Sequence, residues 1–130
     1  MTELATVREI LGMQTWAVVG LRDNPGRAAH GVAQFLQRQG KHVVPVHRQP
    51  QDVFGEPAYP RLSEIPHPVD VVDVFVNSSL AGDIADQAVA VGARAVWFQL
   101  GVVDEQAADR VRAAGVLMVM DRCPAIEWGR

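Results

Sequence analysis

The sequence predicts one α/β domain over residues 1–130, built on a doubly wound, five-stranded parallel sheet with helices on both faces. Two observations lead to this fold class. Short apolar runs alternate with amphipathic helical patterns, which is typical of a parallel sheet that is covered on both sides. Three of the helical patterns also end at a glycine directly before an apolar run, where glycine readily adopts the left-handed conformation that ends a helix. These glycines are Gly40, Gly92 and Gly115.

The first half of the chain contains two helix–strand units. The stretch TELATVREILGM predicts a helix with Thr2 as its N-cap. Its apolar face comprises Leu4, Val7 and Leu11. The stretch WAVVG then predicts the first strand, which ends at Gly20. The next amphipathic pattern ends near Gly40 and is followed by HVVPV, the predicted second strand.

The second half of the chain continues the alternation. After a proline-rich stretch, VDVVDVFV predicts the third strand, AVWFQL the fourth and VLMVM the fifth, with amphipathic helices between them. The apolar faces of these helices comprise Ile84, Ala88 and Val91 in the first and Ala107, Val111 and Ala114 in the second. Because crossovers between parallel strands are right-handed, few topologies remain, and we expect the strand order 3-2-1-4-5.

Composition and charge exclude several classes of protein. The net charge of −3 provides no strongly basic stripe for nucleic acid, and no apolar run is long enough to cross a membrane. The N-terminus lacks a signal-peptide pattern, so we expect a cytoplasmic protein. Cys123 is the only cysteine, which excludes an intrachain disulfide, and we take it as a small packing residue. The histidines lack metal-ligand spacing, so we expect no metal site.

The fold class itself predicts where a ligand binds. In doubly wound sheets, ligands lie outside the carboxyl ends of the strands, where the strand order reverses. Four segments reach that edge in this chain. They are Gly20 to Arg27, His47 with Arg48, Asn77 to Ser79, and Gln99 with Gly101.

The turn after the first strand resembles a nucleotide-binding turn without matching its fingerprints. Strand, glycine turn and helix is the arrangement that places a phosphate at a helix N-terminus. However, Arg22 and Pro25 stand where a GxGxxG fingerprint requires glycines after Gly20, and Gly26 and Arg27 depart from the phosphate-loop pattern. Arg22 and Arg27 bracket the turn and can reach an anion. The alternative is a plain connection with solvated arginines.

The end of the second strand carries a basic pair. An enzyme that uses NAD normally has an acidic residue there, which binds the ribose hydroxyls, but this chain has His47 and Arg48. A basic pair suits a ribose that bears a phosphate, as in NADP or coenzyme A. The alternative is two exposed basic residues in a loop.

Polar residues also follow and interrupt the third strand. We expect Ser79 to cap the next helix, whose exposed amides can face an anion. We expect Asp70 at the strand entrance, whereas Asp73 falls within the apolar strand and needs a hydrogen-bond partner if it is buried.

Four segments together resemble a known family. AVVGLRDNPGRAAHGVAQFLQRQGKHVVPVHRQ, VDVVDVFVNSS, AVWFQLGVVDEQAA and VLMVMDRCPAIE occur in the order found in the small bacterial CoA-binding proteins. These are single Rossmann-like domains, similar to the CoA-binding domain of the succinyl-CoA synthetase alpha subunit. The resemblance implies a coenzyme A site along the carboxyl edge of the sheet.

The resemblance also implies which residues bind the ligand. Those that match the pyrophosphate turn are Gly20, Leu21, Arg22, Asp23 and Arg27. Those that match the segment near the phosphorylated ribose are Val46, His47 and Arg48. Those beside the adenine and pantetheine path are Phe75, Val76, Asn77 and Ser78, and those at the edge of strand four are Gln99 and Gly101. The chain departs from the family at His47 and Arg48, where a proline is common, and at Val76, where an arginine is frequent.

We therefore expect a non-catalytic module that binds coenzyme A or an acyl-CoA. Nothing in the chain matches the separate synthetase domain that carries the phosphorylated histidine, so a ligase activity is not expected. The alternative is an NADP-binding oxidoreductase or a fragment of one, which shares the basic pair but lacks the glycine spacing. A receiver-like signalling module is excluded because Gly20 and Asn77 stand where acidic residues are required. Three assemblies remain open: a monomer, a homodimer and a complex with a protein partner.

Overall fold

The computed structural model describes residues 2–130 and confirms the predicted fold class. The parallel strands are β1 (Thr15–Val19), β2 (His42–Val46), β3 (Val71–Val74), β4 (Ala95–Phe98) and β5 (Leu117–Val119). The α-helices are α1 (Glu3–Leu11), α2 (Ala28–Arg38), α3 (Ser78–Ala90), α4 (Glu105–Ala113) and α5 (Pro124–Trp128). A short 3-10 helix, Leu62–Glu64, lies in the long connection from β2 to β3. Helix α5 was not among the predicted elements.

The strand order is β2-β1-β3-β4-β5, so the position of one strand differs from the predicted order 3-2-1-4-5. Strand β3 pairs with β1, from Trp16 opposite Val71 to Val19 opposite Val74, instead of extending the sheet beyond β2. The order therefore reverses between β1 and β3. Both strands contribute their carboxyl ends to the same point on the edge of the sheet.

The outer edge of β2 explains why β3 does not pair with β2. Pro45 has no N–H, and proline is confined to edge strands because it cannot donate to a neighbouring strand. The connection after β2 covers this edge: the Tyr59 N–H donates to the Pro45 oxygen at 3.0 Å, and the His47 N–H donates to the Tyr59 oxygen at 3.1 Å. The following strand must therefore pair on the far side of β1.

Two apolar cores lie on opposite faces of the sheet. On one face, α3 and α4 pack through small side chains onto residues such as Val74 and Phe98. On the other face, α1, α2 and α5 cover Trp16 and Trp97, whose ring centroids are 5.9 Å apart. Both indole N–H groups are satisfied, because Trp16 donates to the Met13 oxygen at 3.0 Å and Trp97 to the Arg122 oxygen at 2.8 Å.

Helix ends follow the sequence closely. Thr2 caps α1 as predicted and accepts a hydrogen bond from the Ala5 N–H at 3.1 Å. The three glycines that were expected to end helices adopt positive φ angles of +82° at Gly40, +81° at Gly92 and +79° at Gly115. Each predicted apolar face is wrong at one end, where its terminal residue is exposed. Their exposed outer residues are Leu4, Val91 and Ala114.

The two aspartates of β3 have different surroundings. Asp70 lies at the strand entrance as predicted, where Oδ2 accepts from the Thr15 N–H at 2.9 Å. Asp73 lies inside the sheet between Val18 and Trp97 and is fully buried. Neither of its carboxyl oxygens has a hydrogen-bond partner within residues 2–130. Burial therefore raises the pKa of Asp73 well above its usual value, which favours the neutral acid.

Candidate functional site

A cleft of about 840 Å³ opens at the carboxyl ends of β1, β2 and β3, where the strand order reverses. Nine of the predicted ligand-binding residues line it. They are Gly20, Arg22, Asp23, Arg27, His47, Arg48, Phe75, Val76 and Asn77. The cleft thus brings together three segments that lie far apart in the sequence.

The other five predicted residues lie outside the walls of this cleft. Leu21 and Val46 are buried in the core, and Gln99 is only 6% exposed. The Ser78 hydroxyl accepts from the Val103 N–H at 2.9 Å and donates to the Gly101 oxygen at 3.3 Å. These residues therefore support the edge of the sheet around the cleft.

Five residues that were not among the individually predicted ligand-binding residues also line the cleft, and one of them, Asn24, lies within the predicted segment Gly20 to Arg27. They are Asn24, Ala28, Ala29, Gln51 and Leu80. Ala28, Ala29 and Leu80 belong to the first turns of α2 and α3, so their positions follow once those helices are known to begin at the cleft. Gln51 carries no such signal, because it lies in an irregular connection. Its Oε1 accepts from the Asp23 N–H at 3.1 Å and joins this connection to the turn after β1.

Gly20 holds the end of β1 against the end of β3. Its φ angle is +101°, and a Cβ at this position would lie 2.8 Å from the Phe75 carbonyl oxygen. The Gly20 N–H donates to the Val46 oxygen at 2.8 Å, so Gly20 also contacts the end of β2. A glycine is therefore required here by backbone packing and conformation.

Three arginines give the cleft its charge. Arg22, Arg27 and Arg48 line it together with one carboxylate, Asp23, although the whole chain has a net charge of −3. None of the three forms a salt bridge with another of the described residues, and the buried Nε of Arg22 has no hydrogen-bond partner among them. An unpaired buried guanidinium N–H is costly, so this arrangement favours an anionic ligand.

His47 lies half-buried among these cations. Its Nδ1 accepts a hydrogen bond from the Gln49 N–H at 3.0 Å, so the neutral ring carries its proton on Nε2. Burial lowers the pKa of His47, and the nearby charges of Arg22 and Arg48 lower it further. His47 is therefore a neutral donor near pH 7 in the free protein.

Two helices begin at the cleft without a side-chain cap. Arg27 is the N-cap residue of α2 and Asn77 that of α3, and neither side chain makes a capping hydrogen bond. The predicted cap, Ser79, was wrong because α3 begins at Ser78, so the N-cap residue is Asn77, two residues earlier than predicted. In α1 and α4, by contrast, Thr2 and Asp104 do cap the first turn. Exposed amides and the positive end of the helix dipole suit an anion at both uncapped ends.

The carboxylate of Asp23, which lines the cleft, contacts the buried ring of His30. Asp23 Oδ1 lies 3.1 Å from Nε2 of the buried His30, whose ring packs against Phe54 with centroids 4.7 Å apart. The Gly26 N–H donates to the Asn24 side chain at 3.1 Å and closes the rest of the turn. The turn is thus fixed by contacts of its own before any ligand arrives.

Comparison with known proteins identifies the family. Residues 14–129 match the family model described as a CoA binding domain. The chain belongs to the CoA-binding domain family. The predicted resemblance to small CoA-binding proteins is therefore confirmed.

Relatives of this CoA-binding domain are similar over nearly their whole length. The chain is 34% identical to the uncharacterized protein YneT of Bacillus subtilis (strain 168) over 120 residues, which covers 92% of this chain and 89% of that protein. A hypothetical protein from Pyrococcus horikoshii OT3 is also 34% identical and superposes with a TM-score of 0.93, covering 99% of this chain and 92% of its own.

A more distant structure shares the CoA-binding domain fold alone. The apo form of acetyl-coenzyme A synthetase 1 from Ca. Korarchaeum cryptofilum is 19% identical, with a TM-score of 0.76. The match covers 88% of this chain and 28% of that enzyme.

Two features are absent from the described residues. Within residues 2–130, no helix has both the length and the apolar character that a membrane crossing requires. The same part of the chain contains no group of three or more histidine, cysteine, aspartate or glutamate side chains arranged to hold a metal ion.

Proposed function

We propose that the protein binds coenzyme A or an acyl-CoA in the cleft at the carboxyl ends of β1, β2 and β3, and that it performs no chemistry on this ligand. The observation that carries the proposal is the convergence of three unpaired arginines and two uncapped helix N-termini on one cleft. Coenzyme A is a polyanion with a pyrophosphate and a phosphorylated ribose. Membership of the CoA-binding domain family supports it as the ligand.

The cleft offers separate groups for the two phosphate regions. Arg22, Arg27 and the first amides of α2 would hold the pyrophosphate, because guanidinium groups and helix N-termini both favour phosphate oxygens. His47 and Arg48, at the end of β2, would hold the 3′-phosphate of the ribose. Phe75, Val76 and Asn77 would lie along the adenine and pantetheine.

The side chains of the cleft favour binding over catalysis. The carboxylate of Asp23 is already engaged by His30. Ser78 lies outside the cleft, at the start of α3, and is hydrogen-bonded into the edge of the sheet. Cys123, which is buried, does not line this cleft. Among the described residues, the lining of the cleft therefore contains no serine, threonine or cysteine nucleophile paired with a base, which is one common arrangement for covalent catalysis.

Thermal unfolding with four matched ligands tests the proposal. A ligand present at 100 times its Kd stabilises the fold by about 2.7 kcal/mol, so coenzyme A should clearly raise the Tm. Dephospho-coenzyme A should raise it less, because it lacks the 3′-phosphate. NADP and NAD serve as the competing adenine dinucleotides. A shift with NADP alone would instead support the NADP-binding oxidoreductase, and no shift with coenzyme A would contradict the proposal.

A further inference from the structure

A second, smaller cavity lies at the same edge of the sheet. It has a volume of about 350 Å³ and is lined by residues from the ends of β4 and β5, the start of α1 and helix α5. A water molecule occupies about 30 Å³ in the liquid, so the cavity can admit a small organic group. Its apolar lining is Leu100, Met120 and Ile126, and both Leu100 (53%) and Ile126 (49%) are about half exposed.

A short run of hydrogen bonds connects the two cavities. Asn77 lines the first cleft, and the hydroxyl of its neighbour Ser78 donates to the Gly101 oxygen at 3.3 Å. The Gly101 N–H in turn donates to Oδ1 of Asp121 at 2.8 Å, and Asp121 lines the second cavity. Neighbouring strands lie about 4.8 Å apart, so the second cavity, at the ends of β4 and β5, lies within two strand spacings of β3. The two cavities therefore open close together along one edge of the sheet.

Both cations of the second cavity are already paired with carboxylates. Arg122 lies 3.0 Å from Glu3 and 3.0 Å from the buried Glu127, and Arg130 lies 3.7 Å from Glu127. With Asp121, the lining contains three carboxylates and two guanidinium groups. Both guanidinium groups are thus paired, and the lining has a net negative charge that would repel a carboxylate. The half-exposed Leu100 and Ile126 instead favour an apolar group.

We propose that the second cavity receives the acyl group of an acyl-CoA whose phosphates lie in the first cleft, and that it selects neutral aliphatic acyl groups over those that end in a carboxylate. This inference rests on the proposed function, since it takes the coenzyme A site as given. The inference specifies which class of acyl-CoA thioester the protein binds.

Calorimetric titration with coenzyme A, butyryl-CoA and succinyl-CoA tests the inference directly. One buried methylene contributes about 0.8 kcal/mol, equivalent to a fourfold change in Kd. Butyryl-CoA should therefore bind at least about fourfold more tightly than coenzyme A. Succinyl-CoA should bind no more tightly than coenzyme A. Equal affinities for coenzyme A and butyryl-CoA, or an equal gain with succinyl-CoA, would overturn the inference.

Two surface variants test whether the second cavity causes the tighter binding of butyryl-CoA. Ile126→Asn and Leu100→Asn each remove a half-exposed apolar side chain from the cavity and should bring the ratio of coenzyme A Kd to butyryl-CoA Kd close to one. Val91→Asn is the matched control, because Val91 is 40% exposed, lies at the end of α3 and lines neither cavity. It should preserve the ratio. Thermal unfolding without ligand confirms that each variant folds.

The outcomes separate the two proposals. If coenzyme A itself does not bind, the proposed function is wrong. If coenzyme A binds but the wild-type ratio is one, only the acyl subsite is wrong. A high ratio that persists in both Ile126→Asn and Leu100→Asn would place the acyl group elsewhere and would also overturn the inference.

Discussion

Gly20 packs against the backbone of Phe75 so closely that a Cβ at position 20 would lie 2.8 Å from the Phe75 carbonyl oxygen. This contact joins the ends of β1 and β3, from which the cleft opens. The close approach requires both a missing side chain and the φ angle of +101°. The same residue therefore contributes to stability and to the shape of the site.

We expect Gly20→Ala to lower the free energy of unfolding by about 2 kcal/mol or more. The alanine would have to adopt a positive φ angle, and its Cβ would clash with the Phe75 carbonyl oxygen, which cannot move away because it belongs to the backbone. Urea unfolding measures the change. Gly31→Ala is the control, because nothing lies within 4 Å of a Cβ at Gly31, which sits inside α2. That variant should be stabilised by about 1 kcal/mol, the helix preference of alanine over glycine. Equal stability of Gly20→Ala and wild type would contradict the strain argument.

The buried Asp73 makes stability depend on pH. Its pKa is raised in the folded protein, so the folded state retains a proton that the unfolded state has lost. Stability contributed by this group is therefore greatest below the unfolded pKa and decreases as the pH rises toward the folded pKa, by up to about 1.4 kcal/mol per pH unit.

We expect Asp73→Val to raise the free energy of unfolding at pH 7, because valine fits a strand position between Val18 and Trp97 and has no polar group to desolvate. Urea unfolding of both proteins at pH 5, 6 and 7 isolates the contribution of Asp73. The stability gain of the variant should grow with pH. A constant difference between the two proteins would show that Asp73 does not titrate as proposed.

The sequence predicts those features that depend on local chemistry. The apolar strands, the helices α1 to α4, the Thr2 cap and the glycines at helix ends were correct, because each depends on residues within one turn or strand. The short helix α5 and the Asn77 cap of α3 were missed. The predicted position of β3 was wrong because strand order depends on pairing between distant segments. Pro45 was the available signal, since it marks β2 as an edge strand.

The candidate site shows the same division. Three of the four predicted segments, those after β1, β2 and β3, meet at one cleft because parallel strands bring their carboxyl ends to one edge, whereas Gln99 and Gly101 after β4 do not line it. Gln51 could not be predicted, since an irregular connection has no period that places its side chains. That Asp73 has no hydrogen-bond partner among residues 2–130 was also unpredictable, because it depends on what the two neighbouring strands, β1 and β4, and the covering elements present to its carboxyl group.

Arg48→Ala should reduce the discrimination between coenzyme A and dephospho-coenzyme A. A hydrogen bond to a charged group contributes about 1.5–3 kcal/mol, so we expect the Kd of coenzyme A to rise about tenfold or more. The Kd of dephospho-coenzyme A should change much less, because it lacks the 3′-phosphate. Calorimetric titration measures both values.

A matched control supports the assignment of Arg48. Arg61 lies in the same connection after β2, is exposed, pairs with Glu64 at 3.1 Å and does not line the cleft. Arg61→Ala should therefore leave both Kd values close to those of the wild type. If Arg48→Ala weakens the two ligands equally, its guanidinium does not bind the 3′-phosphate.

His47 should couple ligand binding to proton uptake. In the free protein its pKa is lowered by burial and by the charges of Arg22 and Arg48, so the ring is neutral near pH 7. A bound phosphate would favour the charged ring and raise this pKa, so the affinity for coenzyme A should increase as the pH falls from 8 to 6.5, by at most about tenfold per pH unit. Calorimetry in buffers of different ionisation enthalpy measures the protons taken up.

His47→Gln keeps a polar side chain that does not titrate, and it should abolish the part of the uptake that is due to His47. The phosphate of the ligand itself titrates near pH 6, so dephospho-coenzyme A serves as the second control. Identical proton uptake by His47→Gln and wild type would exclude His47 from the phosphate site.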